Sequence, residues 1–526
     1  MKLYRAFATV GGLTMVSRFL GFARDIMIAA VLGTGIVAEA FFAAFRLPNL
    51  FRRLFGEGAF NAAFVPLFSK RLEREGAAAA RQFAEQSLSA LIFAVLILTA
   101  LAEIFMPAFI HLITPGFADN PEKFDLTVLL TRITFPYLLC MSAVALLLGL
   151  LNALHKFTAA AAAPIILNVV LITFMAATAW WGLGNSPVAG VVLAWGVAAA
   201  GGLQLLVLAV SAHSHGMGLS LRWPQMTPGV RRLVRLGIPG IIAGGITQIN
   251  IMIGTMIASL QDGAIAILYF ADRIYQLPLG VIGIAIGVVL LPDVARQLGA
   301  GNHDAVAESQ NRSLEFSLLL TLPAAVALFV VPEPIIRVLF ERGAFTFEDT
   351  RAVSAALAAY AVGLPAFVLI KVFSPAYFAR EDTKTPMIFA GISVAVNVVG
   401  SLALFFWFRQ QGIMPHIGIA IATTVAGWVN AFLLWITLVR RGHFSADARL
   451  RRCLPLTALS SLVMGVTLWL VAGLLIDYFA PGSGFISQLL ALSGLVGLGL
   501  AVFATTAQLT GAANLPALVR GFASRG

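Results

Sequence analysis

Ser17-Arg18-Phe19-Leu20-Gly21-Phe22-Ala23-Arg24-Asp25 sets two arginines and an aspartate inside the first of many long apolar runs. Outward from it, Glu39, Arg46, Arg52, Arg53 and Glu57 fall within the second. An arginine at mid-bilayer costs about 2.5–3.5 kcal/mol on insertion scales, so several together persist only where they face water or one another. The pattern reads as a cationic site inside a membrane. Composition agrees: the 526 residues are 60% hydrophobic and 11% charged, with mean hydropathy +0.92, whereas soluble domains carry about 25% charged residues. Apolar runs long enough to span recur from end to end, and short alternating strands do not, so the expected fold is an all-α polytopic membrane protein and not a barrel.

Fourteen transmembrane helices are expected near 6–32, 37–67, 84–114, 126–154, 158–181, 188–211, 232–260, 264–294, 314–332, 352–378, 386–408, 416–439, 453–476 and 485–511. The first begins with Lys2 and Arg5 like a signal peptide, but its internal charges and lack of a clear cleavage site make it a retained helix. Under this placement 22 of the 35 basic residues fall in loops on the N-terminal side and 5 on the other, among them Lys123, Arg337 and Arg342. The positive-inside rule then puts both termini in the cytoplasm. Eight basic residues remain inside segments: Arg18, Arg24, Arg46, Arg52, Arg53, Arg132, Arg273 and Lys371.

The halves of the chain echo each other. Ala44-Phe45-Arg46 is followed by Pro66, and Ala271-Asp272-Arg273 at nearly the same distance by Pro292; Pro164 and Pro386 keep a similar offset. Two six-helix lobes in parallel pseudo-repeat follow, residues 1–215 and 216–445, with 446–526 supplying two additional helices and a tail. Paired bundles of this kind rock about a site between them.

Residues seven apart return to nearly one helix face. Arg18 and Asp25 share a face of the first helix, and Glu39, Arg46, Arg53 and Glu57 draw a charged stripe along the second. With Asp272, Arg273 and Lys371 from the second block, cations outnumber acids. Such a cavity suits an anion, and arginine's planar fork grips phosphate oxygens in pairs. Arg18 lies thirteen residues beyond Arg5, about 20 Å along a helix, too far to reach the cytoplasmic surface easily. Arg132, near a helix end, is better read as snorkelling. His213 and His215 stand in a loop without further ligands, so no metal site is expected, and no nucleotide-binding or hydrolase motif occurs. Cys140 and Cys453 cannot be paired from sequence.

These residues resemble a known family. The opening run, with Ala40-Phe41-Phe42, Arg46-Leu47-Pro48-Asn49-Leu50, Arg52-Arg53, Glu57-Gly58-Ala59-Phe60, Ala271-Asp272-Arg273 and Lys384-Thr385-Pro386, is similar to the MviN/MurJ lipid II flippases of the multidrug/oligosaccharidyl-lipid/polysaccharide exporter superfamily. The resemblance implies a transporter, not an enzyme, in the bacterial inner membrane. It would carry lipid II, the undecaprenyl-pyrophosphate-linked muropeptide, from the inner to the outer leaflet by alternating access. Arg18, Arg24, Arg52 and Arg273 match the family's important arginines, with pyrophosphate as their partner, and Asp25, Glu39, Arg46, Arg53, Glu57, Asp272 and Lys371 form the cavity charge network and gate. The last two helices would hold the lipid tail. Glu39 stands where well-studied relatives carry aspartate, and Gln276 where some carry glutamate. No cofactor is implied beyond coupling to the membrane potential or a monovalent ion; the bilayer and the cell-wall synthesis machinery are the implied partners. A flippase for another polyprenyl-linked polysaccharide, or a multidrug/cation antiporter, is the alternative, although a pocket for cations should be acidic or aromatic.

Overall fold

The structure is a computed structural model and describes residues 2–53, 59–480 and 482–513. Glu57 and the tail after Ala513 lie outside the described residues. Among the described residues every regular element is helical. Ten helical stretches among the described residues are long and apolar enough to cross a membrane, including Pro121–Ala153, Phe347–Phe378 and Phe485–Thr510.

The chain forms two compact units. The first comprises Met1–Ala266 with Arg342–Phe345, and the second Ile267–Glu341 with Thr346–Gly526. In the first lie α1 (Lys2–Leu32), α2 (Ile36–Arg52), α3 (Ala59–Ile104), α4 (Met106–Ile113), α5 (Pro121–Thr134), α6 (Tyr137–Ala153), α7 (Phe157–Trp180), α8 (Pro187–Ser214) and α9 (Pro228–Ala258). α1 packs on α7, α2 on α5, α3 on α6 and α9, and α7 on α8.

The second unit receives α10 (Ala264–Gly299) and holds α11 (His303–Val330), α12 (Pro332–Phe340), α13 (Phe347–Phe378), α14 (Lys384–Gln410), α15 (His416–Arg440), α16 (Ala448–Leu474) and α17 (Phe485–Thr510). Here α13 and α14 pack on α15, and α11 on α13 and α16; Val331, Met464, Leu468 and Leu495 form one buried cluster. The outward faces of α16 and α17 expose Leu462, Val466, Trp469, Leu470, Leu490 and Leu500. So much uncovered apolar surface belongs against lipid.

Helix ends follow local chemistry. Asn120, Ser186, Thr227, Asn302, Thr346 and Asp447 each accept the backbone N–H three residues on, satisfying a donor that the first turn leaves open. Prolines break expected spans. The segment near 84–114 is interrupted at Phe105, with Pro107 starting the short α4, and that near 126–154 at Phe135-Pro136. Proline has no N–H for the helical ladder and crowds the preceding turn. The expected loop carrying Lys70, Arg71, Arg74 and Arg81 is instead helical on both sides of a kink at Gly76, whose φ of 84° a glycine tolerates without strain.

Candidate functional site

Arg24 and Asp25 are adjacent on α1, and both are buried. The Arg24 guanidinium donates to Asp25 Oδ1 from Nε (3.0 Å) and Nη2 (2.7 Å), and from Nη1 to Asn168 Oδ1 on α7 (2.9 Å). Asn168 Nδ2 in turn donates to the Ser17 carbonyl (2.9 Å). One amide thus ties both ends of the opening sequence run to α7, and the arginine is held in a single orientation by hydrogen bonds to a charged partner. Arg18, on the same helix, is exposed.

On α2 the charged stripe divides by depth. Glu39 is buried, ion-paired with Lys123 of α5, and accepts the Ile265 backbone N–H (3.1 Å). Arg46 is half-buried and donates to Thr255 Oγ1 on α9. Arg52 is half-buried with Nε donating to Asn49 Oδ1 (3.1 Å), and Arg53 is exposed. Pro48 sits inside the helix without ending it. The stripe therefore runs from a neutralised, sealed end to an open cationic one.

In the second unit, Asp272 and Lys371 line one cavity of about 320 Å³ with Tyr275, Gln276, Tyr360, Phe367 and Thr423. Gln276 Nε2 donates to Asp272 Oδ2. Arg273, the next residue on α10, turns elsewhere: its guanidinium carbon stands 4.8 Å over the Tyr269 ring, and Nη2 donates to Tyr269 Oη (2.9 Å). A guanidinium stacked on a ring keeps its charge while its apolar face is covered.

Two short stretches of charge, each in its own unit, are thus set on helices among apolar residues. The family model described as lipid II flippase MurJ matches residues 28–490. The chain belongs to the MurJ family. A probable lipid II flippase MurJ of Rhizobium meliloti (strain 1021) is 50% identical over 527 residues, covering 100% of this chain and 97% of that relative. A lipid II flippase MurJ of Burkholderia cenocepacia is 32% identical over 476 residues, covering 89% and 90% respectively. A solved lipid II flippase MurJ in an inward closed conformation aligns with a TM-score of 0.77 at 26% identity, over 95% of this chain and 98% of its own. A multidrug resistance MATE family transporter of the MOP superfamily, in an inward-facing conformation, has a TM-score of 0.67 at 15% identity over 82% and 97%; with it the chain shares the fold.

Within this chain, several site neighbours were silent in the sequence. Lys123 stands in a polar stretch that reads as loop, yet it is buried in the first turn of α5. Asn168 and Thr255 are lone polar residues in apolar helices, and nothing in their spacing points at arginines far away in the chain. Arg337, also expected in a loop, lies in α12 between Glu333 and Glu341 and pairs with both. That glutamate-arginine-glutamate spacing of four was a readable signal.

Proposed function

We propose that this MurJ-family protein is a lipid II flippase of the bacterial cytoplasmic membrane, a transporter serving cell-wall biogenesis and so cell shape. The observation that carries the reading is the full-length 50% identity to a probable lipid II flippase, together with a family model that matches 28–490. The chemistry of the charged helices supports it. A pyrophosphate alone in hydrocarbon is prohibitively desolvated, and fixed guanidinium groups replace the lost water. Arg18, Arg24, Arg52 and Arg273 form the proposed pyrophosphate set. Asp25, Glu39, Arg46, Arg53, Glu57, Asp272 and Lys371 orient it and answer its charge when the headgroup arrives and leaves.

In the proposed cycle two six-helix lobes, 1–215 and 216–445, rock about the headgroup while the isoprenoid tail stays in lipid or against α16 and α17. Fourteen spans and cytoplasmic termini are supported by the 22-to-5 distribution of loop cations. Transport draws on the membrane potential or a monovalent ion, since about 2.3 kcal/mol accompanies each charge moved across 100 mV. The cell-wall synthesis machinery takes over the delivered lipid. Depletion of the protein should leave lipid II accumulated on the inner leaflet, and Arg24→Ala or Arg273→Ala protein, folded and inserted, should not restore export. Normal outer-leaflet lipid II in the depleted cells, or full export by both variants, overturns the reading.

A further inference from the structure

We infer that the cleft at the start of α9 is a docking site for an anionic phospholipid, which sets its headgroup phosphate among Arg231, Arg232 and Arg235 and its chains against Trp223 and Met226. The inference stands apart from the headgroup site on α1, α2 and α10 and does not depend on which lipid the protein carries.

The cleft is built by a strap. Residues 217–227, between α8 and α9, are not helical. They are laid along α3 and pinned there: Ser220 N donates to Glu85 Oε1 (3.2 Å), Arg222 N to Ser89 Oγ (2.9 Å) and Thr227 Oγ1 to Gln86 Oε1 (3.0 Å). Arg222 Nε also pairs with Oε2 of the buried Glu85 (2.5 Å). With its polar groups spent on α3, the strap leaves its bulky apolar side chains outside. Leu221 is 69% and Trp223 83% exposed, and Met226 is exposed beside them. Thr227 then caps α9, whose first two turns expose Arg231, Arg232 and Arg235. These three arginines line a cleft of about 520 Å³ with Met226, Pro228 and Leu236.

The charges of the cleft are unanswered. Other arginines in loops and at helix ends meet acids: Arg222 meets Glu85, Arg441 meets Asp382 and Arg449 meets Glu315. Among the described residues, Arg231, Arg232 and Arg235 form no ion pair. Arg231 and Arg235 moreover stand four apart on one helix face, where like charges repel. A phosphate between them removes the repulsion, and the guanidinium fork matches its oxygens.

The apolar residues decide for a lipid over a soluble anion. A free phosphate would satisfy the arginines and leave Trp223, Met226 and Leu236 in water, whereas a phospholipid answers both halves of the surface. Tryptophan beside arginines at the water end of a span is also the pattern of a membrane interface. In the orientation proposed above, the cleft faces the cytoplasmic leaflet, whose surface is negative, so the charges are complementary.

The test titrates full-length protein in a non-ionic detergent with phosphatidylglycerol, with phosphatidylcholine of the same chains and with glycerol phosphate, and counts bound copies by native mass spectrometry. Wild type should bind phosphatidylglycerol most tightly. Arg231→Gln with Arg235→Gln should weaken that binding by about fivefold for each arginine, with phosphatidylcholine unaffected. Its melting temperature without lipid should hold, because both side chains are exposed and repel each other. Trp223→Ser should weaken both phospholipids and leave glycerol phosphate unchanged. Arg440→Gln with Arg451→Gln, which removes two exposed arginines away from the cleft, should bind as wild type does. An equal loss in that control pair overturns the site, because it reduces the effect to general surface charge. Undiminished phosphatidylglycerol binding by the cleft pair, or by Trp223→Ser, overturns it as well. Glycerol phosphate bound as tightly as phosphatidylglycerol, and lost with the same arginines, would make this a free-anion site and overturn the lipid. Transport of lipid II is read separately, by export in cells, and none of these outcomes decides it.

Discussion

Lys123 and Glu39 form an ion pair in which each side chain is 1% exposed. The ammonium also donates to Asp262 Oδ1 (2.9 Å), whose side chain is 94% exposed, and stands 4.2 Å over the Phe117 ring. One lysine therefore joins α2, α5 and the turn after α9, and the aromatic ring covers it.

Removing Lys123 leaves Glu39 a buried charge without its counterion, which costs about 3–5 kcal/mol, whereas removing both is far milder. Lys123→Met should accordingly lower the melting temperature in detergent sharply, and Lys123→Met with Glu39→Gln should recover most of the loss. A double variant as unstable as the single one would mean that Lys123 acts through Phe117 or Asp262 instead.

Arg24 uses its Nε, Nη1 and Nη2 at once, on Asp25 and Asn168. Lysine cannot reproduce that fork. Arg24→Lys should therefore fail to restore export in a depleted strain while membrane levels stay within about twofold of wild type, a stability loss of order 0.5 kcal/mol. Asn168→Ala, which frees only Nη1 and the Ser17 carbonyl, should weaken export less. Quantitative export with blotted protein levels separates the cases.

Gly33 and Gly343 each have positive φ, 62° and 61°. A Cβ on Gly33 would stand 2.5 Å from the Ala344 carbonyl oxygen, and one on Gly343 would overlap the carbonyl oxygen of Ala30. Alanine at either position should cost about 3 kcal/mol from backbone strain and overpacking together. Gly182→Ala, at φ 68° with open space around it, should cost about 1 kcal/mol from the backbone alone. Unfolding measured in one detergent would rank the three.

Asp382, in the turn between α13 and α14, accepts from Thr385 N (3.0 Å), Thr385 Oγ1 (2.7 Å) and Arg441 Nη1 (2.6 Å). The Thr385 hydrogen bonds first, and Arg441 after them, hold its pKa down to about 2. A carboxylate depressed in the folded state adds stability above its ordinary pKa near 4, and this is lost as pH falls towards 2. Asp382→Asn should cost about 1 kcal/mol at pH 7, allowing for partial exposure. The gap from wild type should shrink below pH 4 and vanish near pH 2; a gap independent of pH would exclude the charge as its source.

What the sequence revealed followed from local pattern. Apolar runs marked the helices, and the step of seven along α2 placed Glu39, Arg46 and Arg53 on one face. The pattern could not show which members of that stripe are buried, because depth depends on α5 and α9, distant in the chain. Lys123 was hidden for the same reason: flanked by Glu122 and Asp125, it looks solvated, and only the folded chain brings Glu39 to it. Tyr275 is one aromatic among many in an apolar run, and its unpaired hydroxyl exists only in three dimensions. Breaks within spans were half legible, since Pro107 and Pro136 interrupt helices whereas Pro48 does not.

The contact between Ala344 N–H and the Ala30 carbonyl (2.8 Å) closes the first unit with a stitch from Arg342–Phe345. The first unit is consequently not a contiguous stretch of gene. During synthesis its helices enter the membrane long before the ribosome reaches Phe345, so the early bundle waits for a late residue. A chain cut after Ala266 would contain every helix of that unit and still lack the loop that finishes it.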